Sequence, residues 1–119
     1  MNIHESGEDY LEMILMLYEQ KGSVRSIDIA NALSVSKPSV SFAMKHLRED
    51  DYIQMDKDNY ITLTEKGLEI ARRVYDRHKA VTAFLVKLGV DEKTARADAC
   101  KIEHDISPAT YEAIQRFMQ

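Results

Sequence analysis

Hydrophobic and polar positions divide the chain into helical segments and one short pair of strands. From about Glu5 to Gln20, Tyr10, Ile14, Leu17 and Tyr18, with Leu11 beside them, recur three and four apart and predict one apolar helix face. Asp9, Glu12 and Met16 fall together on another side, and "KGSVR" then breaks the pattern. Ser26 is the expected cap of a short helix, "IDIANAL", which turns Ile27, Ile29, Ala30 and Leu33 inward. "SVS" at 34–36 connects it to a second short helix opening at Lys37-Pro38, where proline fits because first-turn amides need no intrahelical partner. Val40, Ala43, Met44 and Leu47 are its core-facing stripe. Two short helices joined by a tight turn, the second starting on small polar and basic residues, form a helix-turn-helix pattern.

Two alternating runs follow, "YIQM" and "YITLT", separated by Asp56-Lys57-Asp58-Asn59, and these predict a β-hairpin. A hairpin placed directly after a helix-turn-helix makes the winged variant. Thr64 is the expected cap of a long helix running to Leu88, ahead of Gly89. Its stripe is Leu68, Ala71, Tyr75, His78, Thr82 and Leu85, with the one histidine in the middle. A further helix is expected over about Asp91 to Asp105. A last one follows Ser107-Pro108 and turns Tyr111, Ile114 and Phe117 inward. The fold class is therefore mainly α. A winged helix-turn-helix DNA-binding domain (residues 1–64) precedes an α-helical domain (residues 65–119), with no repeat or low-complexity linker between them.

At 119 residues and 45% hydrophobic, the chain is one ordinary domain or two small units, and too apolar for wholesale disorder. No apolar run reaches membrane-spanning length, and "MNIHESGEDY" lacks the basic-then-apolar pattern of a secretion signal. A single cysteine points to a reducing, cytoplasmic setting. The net charge of −4 argues against a nucleic-acid partner only at whole-chain resolution. Between Gly22 and Arg48, four basic residues (Arg25, Lys37, Lys45, Arg48) face one acidic residue, Asp28, a local +3. A basic island in an acidic chain suits a protein that meets phosphate with one face. Ser36, Lys37, Pro38, Ser39 and Ser41 stand where a recognition helix presents side chains to base edges, and Lys37 and Lys45 can neutralise phosphate. Arg25 and Ser26 at the preceding helix, and Lys57 at the hairpin tip, are candidates for the flanking backbone.

A second chemistry lies in "CKIEHD", residues 100–105. Residues three and four apart share a helix face, so Cys100, Glu103 and His104 offer a thiolate, a carboxylate and an imidazole together. Asp9 and Glu12 do the same from the first helix, and His78 adds a candidate from the long one. A divalent cation would satisfy a buried histidine and buried carboxylates at once. Each piece also has an ordinary reading: a small apolar cysteine, a core histidine, a solvated acidic face. The case for a metal rests on their sum.

The chain resembles the diphtheria-toxin-repressor family of metal-dependent transcriptional repressors over nearly its whole length. The likeness is carried by "EDYLEMILMLYE", "IANALSVSKPSVSFAMKHLREDDYI", "LTEKG", "YDRHK" and "DACKIEHDIS". The resemblance implies Asp9, Glu12, His78, Cys100, Glu103 and His104 as metal ligands. Asp9 is the manganese branch's residue at its position, whereas Cys100 is the iron branch's residue where the manganese branch carries glutamate. Hard aspartate and soft thiolate pull toward different metals, so Fe²⁺ or Mn²⁺ is expected, with Co²⁺, Ni²⁺, Zn²⁺ or Cd²⁺ able to substitute in vitro. Thr82 and Arg96 stand where the iron branch's accessory site needs a carboxylate and a histidine, so that site is not expected, nor is a C-terminal SH3-like domain.

What the resemblance implies is a homodimer that binds palindromic double-stranded operator DNA when loaded with metal and represses iron or manganese uptake genes. Neither membrane association nor an organic substrate is expected. The alternative is a winged-helix regulator gated by a small organic ligand, with no functional metal site. A hydrolytic metalloenzyme carries little weight, because the sequence shows no base or substrate motif beyond the cluster itself.

Overall fold

The computed structural model describes residues 5–119. Its elements are α1 (Glu5–Lys21), α2 (Ser26–Leu33), α3 (Lys37–Glu49), β1 (Ile53–Met55), β2 (Ile61–Leu63), α4 (Glu65–Lys87), α5 (Glu92–Ile102) and α6 (Pro108–Met118). The chain forms two compact units, one ending at Arg72 and one spanning Arg73–Gln119, so the division falls inside α4.

In the first unit α1 buries Leu11, Ile14, Leu15 and Leu17. Tyr18, expected inward, is 53% exposed. It lies in the same arc but on the last turn of the helix, where it borders a cleft of about 340 Å³ with Ile14, Leu15, Ile61, Leu63 and Leu68. In α2 the core takes Ile29 and Ala30, whereas Ile27, also expected inward, is exposed. Two positions apart on an α-helix is about 200° of rotation, so a helix packed on one side cannot bury both Ile27 and Ile29.

The start of α2 also differs from expectation. Arg25 is the N-cap and Ser26 is already helical. The Asp28 carboxylate reaches back to accept from the Arg25 amide (2.9 Å), one half of a capping box, and also accepts from Lys21 Nζ. The Lys21 hydrogen bond first, and the Arg25 amide second, hold the Asp28 carboxyl below the usual carboxylate range. Ser34 closes α2 in the left-handed conformation (φ 55°), and Ser36 caps α3 by accepting from the Ser39 amide (3.2 Å). Val40, Met44 and Leu47 are buried as the stripe requires, and Ala43 is half-buried.

The hairpin pairs Ile53 with Leu63, Gln54 with Thr62 and Met55 with Ile61. Asp56 organises its turn, its Oδ1 accepting from the amides of Asp58 (2.8 Å) and Tyr60 (3.0 Å), while Asn59 takes a positive φ of 67°. This five-residue turn includes Tyr60, and Tyr52 lies just before β1, so both fall outside the strands. β2 is tied to the segment before α2 by the Ile61 amide, which donates to the Val24 carbonyl (2.7 Å).

Thr64 caps α4 as expected: its Oγ1 accepts from the Gly67 amide (3.1 Å) and donates to the Asp51 carbonyl (2.7 Å). Gly67 packs against the Tyr52 carbonyl so closely that any Cβ there would overlap the oxygen. The buried line along α4 is Gly67, Ala71, Val74 and Val81, with His78 half-buried between the valines. Tyr75, Thr82 and Leu85, expected as core stripe, are only half-buried. The buried arc is rotated toward the smaller side chains, which allow closer approach.

In the second unit Asp91 caps α5 by accepting from the Thr94 amide (3.0 Å), a bond that lowers its own pKa. Ala95, Ala99 and Glu103 form the buried side. α5 ends at Ile102, short of the expected Asp105. Residues 103–105 continue as a turn, and Pro108, which disfavours helical backbone before it, keeps Ser107 extended (ψ 162°). Ser107 then caps α6 through the Thr110 amide (3.2 Å). α6 has no buried residue, and Phe117, expected inward, is 54% exposed, touching the edge of Phe84 at 5.6 Å between ring centres.

The Gly67 contact yields a test. Gly67→Ala should destabilise the chain by about 1–3 kcal/mol, the usual cost of overpacking against backbone that cannot yield. Chemical denaturation measures it; an unchanged midpoint would mean α4 starts farther from Tyr52 than the structure has it.

Candidate functional site

Two constellations emerge, one on each unit. On the first, α3 exposes Pro38, Ser39, Ser41 and Lys45 away from the buried Val40, Met44 and Leu47, and Lys37 is exposed at the helix start. Ser36 is exposed too, but its hydroxyl donates to Ser39 Oγ (2.8 Å) and accepts from the Ser39 amide, so it holds the helix start. Among the described residues, Lys37, Lys45 and Lys57 make no ion pair, which leaves three cations for an anionic partner. Arg25 lies over the Tyr60 ring (4.2 Å), linking the start of α2 to the hairpin turn, and Ser26 is half-buried beside it.

The exposed side of α3 also carries Phe42 and His46, which are not among the expected DNA contacts. Phe42 is 67% exposed and packs edge-on against His46, with ring centres 4.4 Å apart. A phenyl ring held out of the core on a recognition helix can contact a thymine methyl in the major groove. The signal was present in the sequence: Phe42 is apolar yet off the Val40–Met44–Leu47 stripe, where an apolar ring has no core to join.

On the second unit, Glu103 is 2% exposed. His78 Nδ1 lies 3.0 Å from its Oε2, a hydrogen bond when that nitrogen carries the proton. His104 Nε2 lies 3.5 Å from its Oε1, which makes no hydrogen bond among the described residues. Cys100 is exposed on the last turn of α5, with Sγ within 4.8 Å of a Glu103 carboxylate oxygen. Four of the expected ligands are thus brought together, although α5 stops at Ile102; Glu103 keeps right-handed helical dihedrals and so remains in phase with Ala99. Asp9 and Glu12 belong to α1 of the first unit, Asp9 half-buried and Glu12 only 6% exposed.

A buried carboxylate with one oxygen lacking a hydrogen bond, flanked by two imidazoles and a thiol, fits a divalent transition metal. The set offers oxygen, nitrogen and sulfur donors, and one Glu103 oxygen has no hydrogen bond among the described residues.

Two family descriptions cover almost the whole chain: "Iron dependent repressor, N-terminal DNA binding domain" matches residues 2–60, and "Iron dependent repressor, metal binding and dimerisation domain" matches residues 64–119. The chain belongs to the iron-dependent repressor family. It is 39% identical over 117 residues to an HTH-type transcriptional regulator of Methanocaldococcus jannaschii, covering 97% of this chain and 94% of that one. It is 42% identical over 102 residues to the HTH-type transcriptional regulator MntR of Bacillus subtilis, covering 86% of this chain and 72% of MntR. The solved structure of the manganese regulator SloR superposes with a TM-score of 0.83 at 31% identity, over 99% of this chain and 54% of that one. The chain therefore spans about half the length of that solved relative. Like other members of this iron-dependent repressor family, it joins a winged helix-turn-helix to a helical metal-binding and dimerisation region. No helix among the described residues is long and apolar enough to cross a membrane.

The two faces of α3 predict opposite responses. Phe42→Ala should leave stability within about 0.5 kcal/mol of the parent, whereas Met44→Ala should cost about 2–5 kcal/mol. Urea titration compares them, and comparable losses would mean Phe42 is part of the core.

Proposed function

We propose that the protein is a metal-dependent transcriptional repressor of iron or manganese uptake genes, binding palindromic operator DNA as a cytoplasmic homodimer, and that it is not an enzyme. The observation that carries this reading is the Glu103 carboxylate, buried between His78 and His104 in a chain that also exposes Lys37 and Lys45 on α3. Family membership supports it, as do relatives described as transcriptional and manganese regulators.

In this proposal residues 1–64 are the DNA-binding domain and residues 65–119 the metal-binding and dimerisation domain. Asp9 and Glu12 complete a ligand set with His78, Cys100, Glu103 and His104. When bound, Fe²⁺ or Mn²⁺ would supply the positive charge that compensates these carboxylates. Asp9 and Glu12, on the helix that leads into the DNA head, then restrict that head, and metal and operator each tighten the other's binding by the same factor. Lys37, Lys45 and Lys57 meet phosphate, with Arg25 and Ser26 at the flank, and Ser39, Ser41 and Phe42 approach the bases around Pro38. Exposed Val86, Leu88 and Phe117 leave apolar surface on the second unit for pairing with another copy, and two-fold symmetry in the dimer requires it in the operator.

Two measurements test the halves. Lys37→Ala and Lys45→Ala should weaken binding to most duplexes, each reducing the salt slope by about 1; an unaltered slope in both would place DNA on another face. Anaerobic titration of the apo-protein with Co²⁺ should be saturable and give a thiolate-to-metal charge-transfer band that Cys100→Ser abolishes. Binding without that band would remove Cys100 from the ligand set. No binding, with DNA control surviving chelation, would overturn the metal reading in favour of a regulator gated by an organic ligand.

A further inference from the structure

The ligand set uses His78 and leaves its neighbour Arg77 unexplained. Arg77 is half-buried on α4, and its Nη1 donates to the carbonyl oxygens of Glu103 (3.2 Å) and Ile106 (3.1 Å). Its guanidinium lies 5.1 Å over the ring of Tyr111 on α6. Its Nε is buried with no hydrogen-bond partner among the described residues. A long side chain that water would readily hold is thus fixed by two main-chain carbonyls and a ring.

What the side chain gains is the end of α5. A helix leaves its last carbonyls without intrahelical partners, and a cation there is favoured by the helix dipole. The two carbonyls that Arg77 takes bracket residues 103–106, the turn that carries both Glu103 and His104. His78, the next residue on α4, meets the Glu103 carboxylate. Consecutive residues of one helix therefore grip Glu103 twice, by its backbone and by its side chain.

We propose that Arg77 is a positioning residue for the metal centre, fixing the 103–106 turn so that Glu103 and His104 stand in ligating position before a metal arrives. This rests on the metal-site reading above. Groups that hold ligands in place are worth about 10–100-fold in metal affinity. Lysine cannot replace it, because an ammonium on a flexible stem does not reproduce a planar group that reaches two carbonyls while stacked on Tyr111.

The test compares full-length parent, Arg77→Lys and Arg77→Met. Mn²⁺ affinity, the Co²⁺ absorption spectrum and apo-state amide exchange are all measured well below each protein's melting temperature. Affinity should fall about 10–100-fold in Arg77→Met, with a changed cobalt spectrum and faster exchange of the 103–106 amides. Arg77→Lys should restore the melting temperature more fully than the affinity, and it carries the test if the methionine variant does not fold. Lower melting temperatures with parental affinity and spectrum would overturn the positioning role alone. A parent protein that binds neither Mn²⁺ nor Co²⁺ would overturn the metal site and this inference with it.

Discussion

The Glu103 carboxylate, 2% exposed between two imidazoles, is the group whose requirements shape the second unit. Removing an ionised carboxyl from water costs several kcal/mol unless charge and hydrogen bonds replace the solvent. The apolar core that could offset this is small: Val74, Val81, Ala95 and Ala99 are its fully buried members among the described residues. Here the polar cluster and the packing are one structure. Ala95 and Ala99 keep one side of α5 low enough for close approach, and Glu103 continues that side one turn further.

The first unit has the opposite character. Its core runs through every helix and both strands, and its boundaries are fixed by short polar devices: Asp28 reaching back to Arg25, Ser36 capping α3, Asp56 closing the hairpin turn, Thr64 joining the Asp51 carbonyl to the first turn of α4. With caps carrying the termini, the outer face of α3 is released from structural duty. Exposed Lys37, Ser41, Phe42 and Lys45 can therefore serve recognition without affecting the fold, which is how a net charge of −4 coexists with a cationic surface.

Much of this was legible in one dimension. Periodicity located the six helices and the hairpin of the described residues, because amphipathic spacing and capping residues are local signals. Ser36, Thr64, Asp91 and Ser107 all lie at the helix boundaries, and an Asp-rich turn separates the strands. The candidate ligands were readable for the same reason: three- and four-residue spacings place side chains on one side of a helix before any tertiary contact exists. The family likeness then tied spacings on separate helices into one set.

Tertiary structure alone decided which apolar residues are core, since burial depends on where a neighbour ends. Tyr18 and Phe117 fit their stripes but lie exposed near the ends of their helices, and Ile27 lost its place to Ile29 on a helix with room for one. The phase of α4 was set by close approach at Gly67, Ala71, Val74 and Val81, a contact requirement that leaves no mark on periodicity when both phases are apolar. Arg77 was equally hidden, because its partners are main-chain carbonyls, which have no letter in a sequence. Sequence determined the elements and the chemistry available to them; packing determined which side chains that chemistry can use.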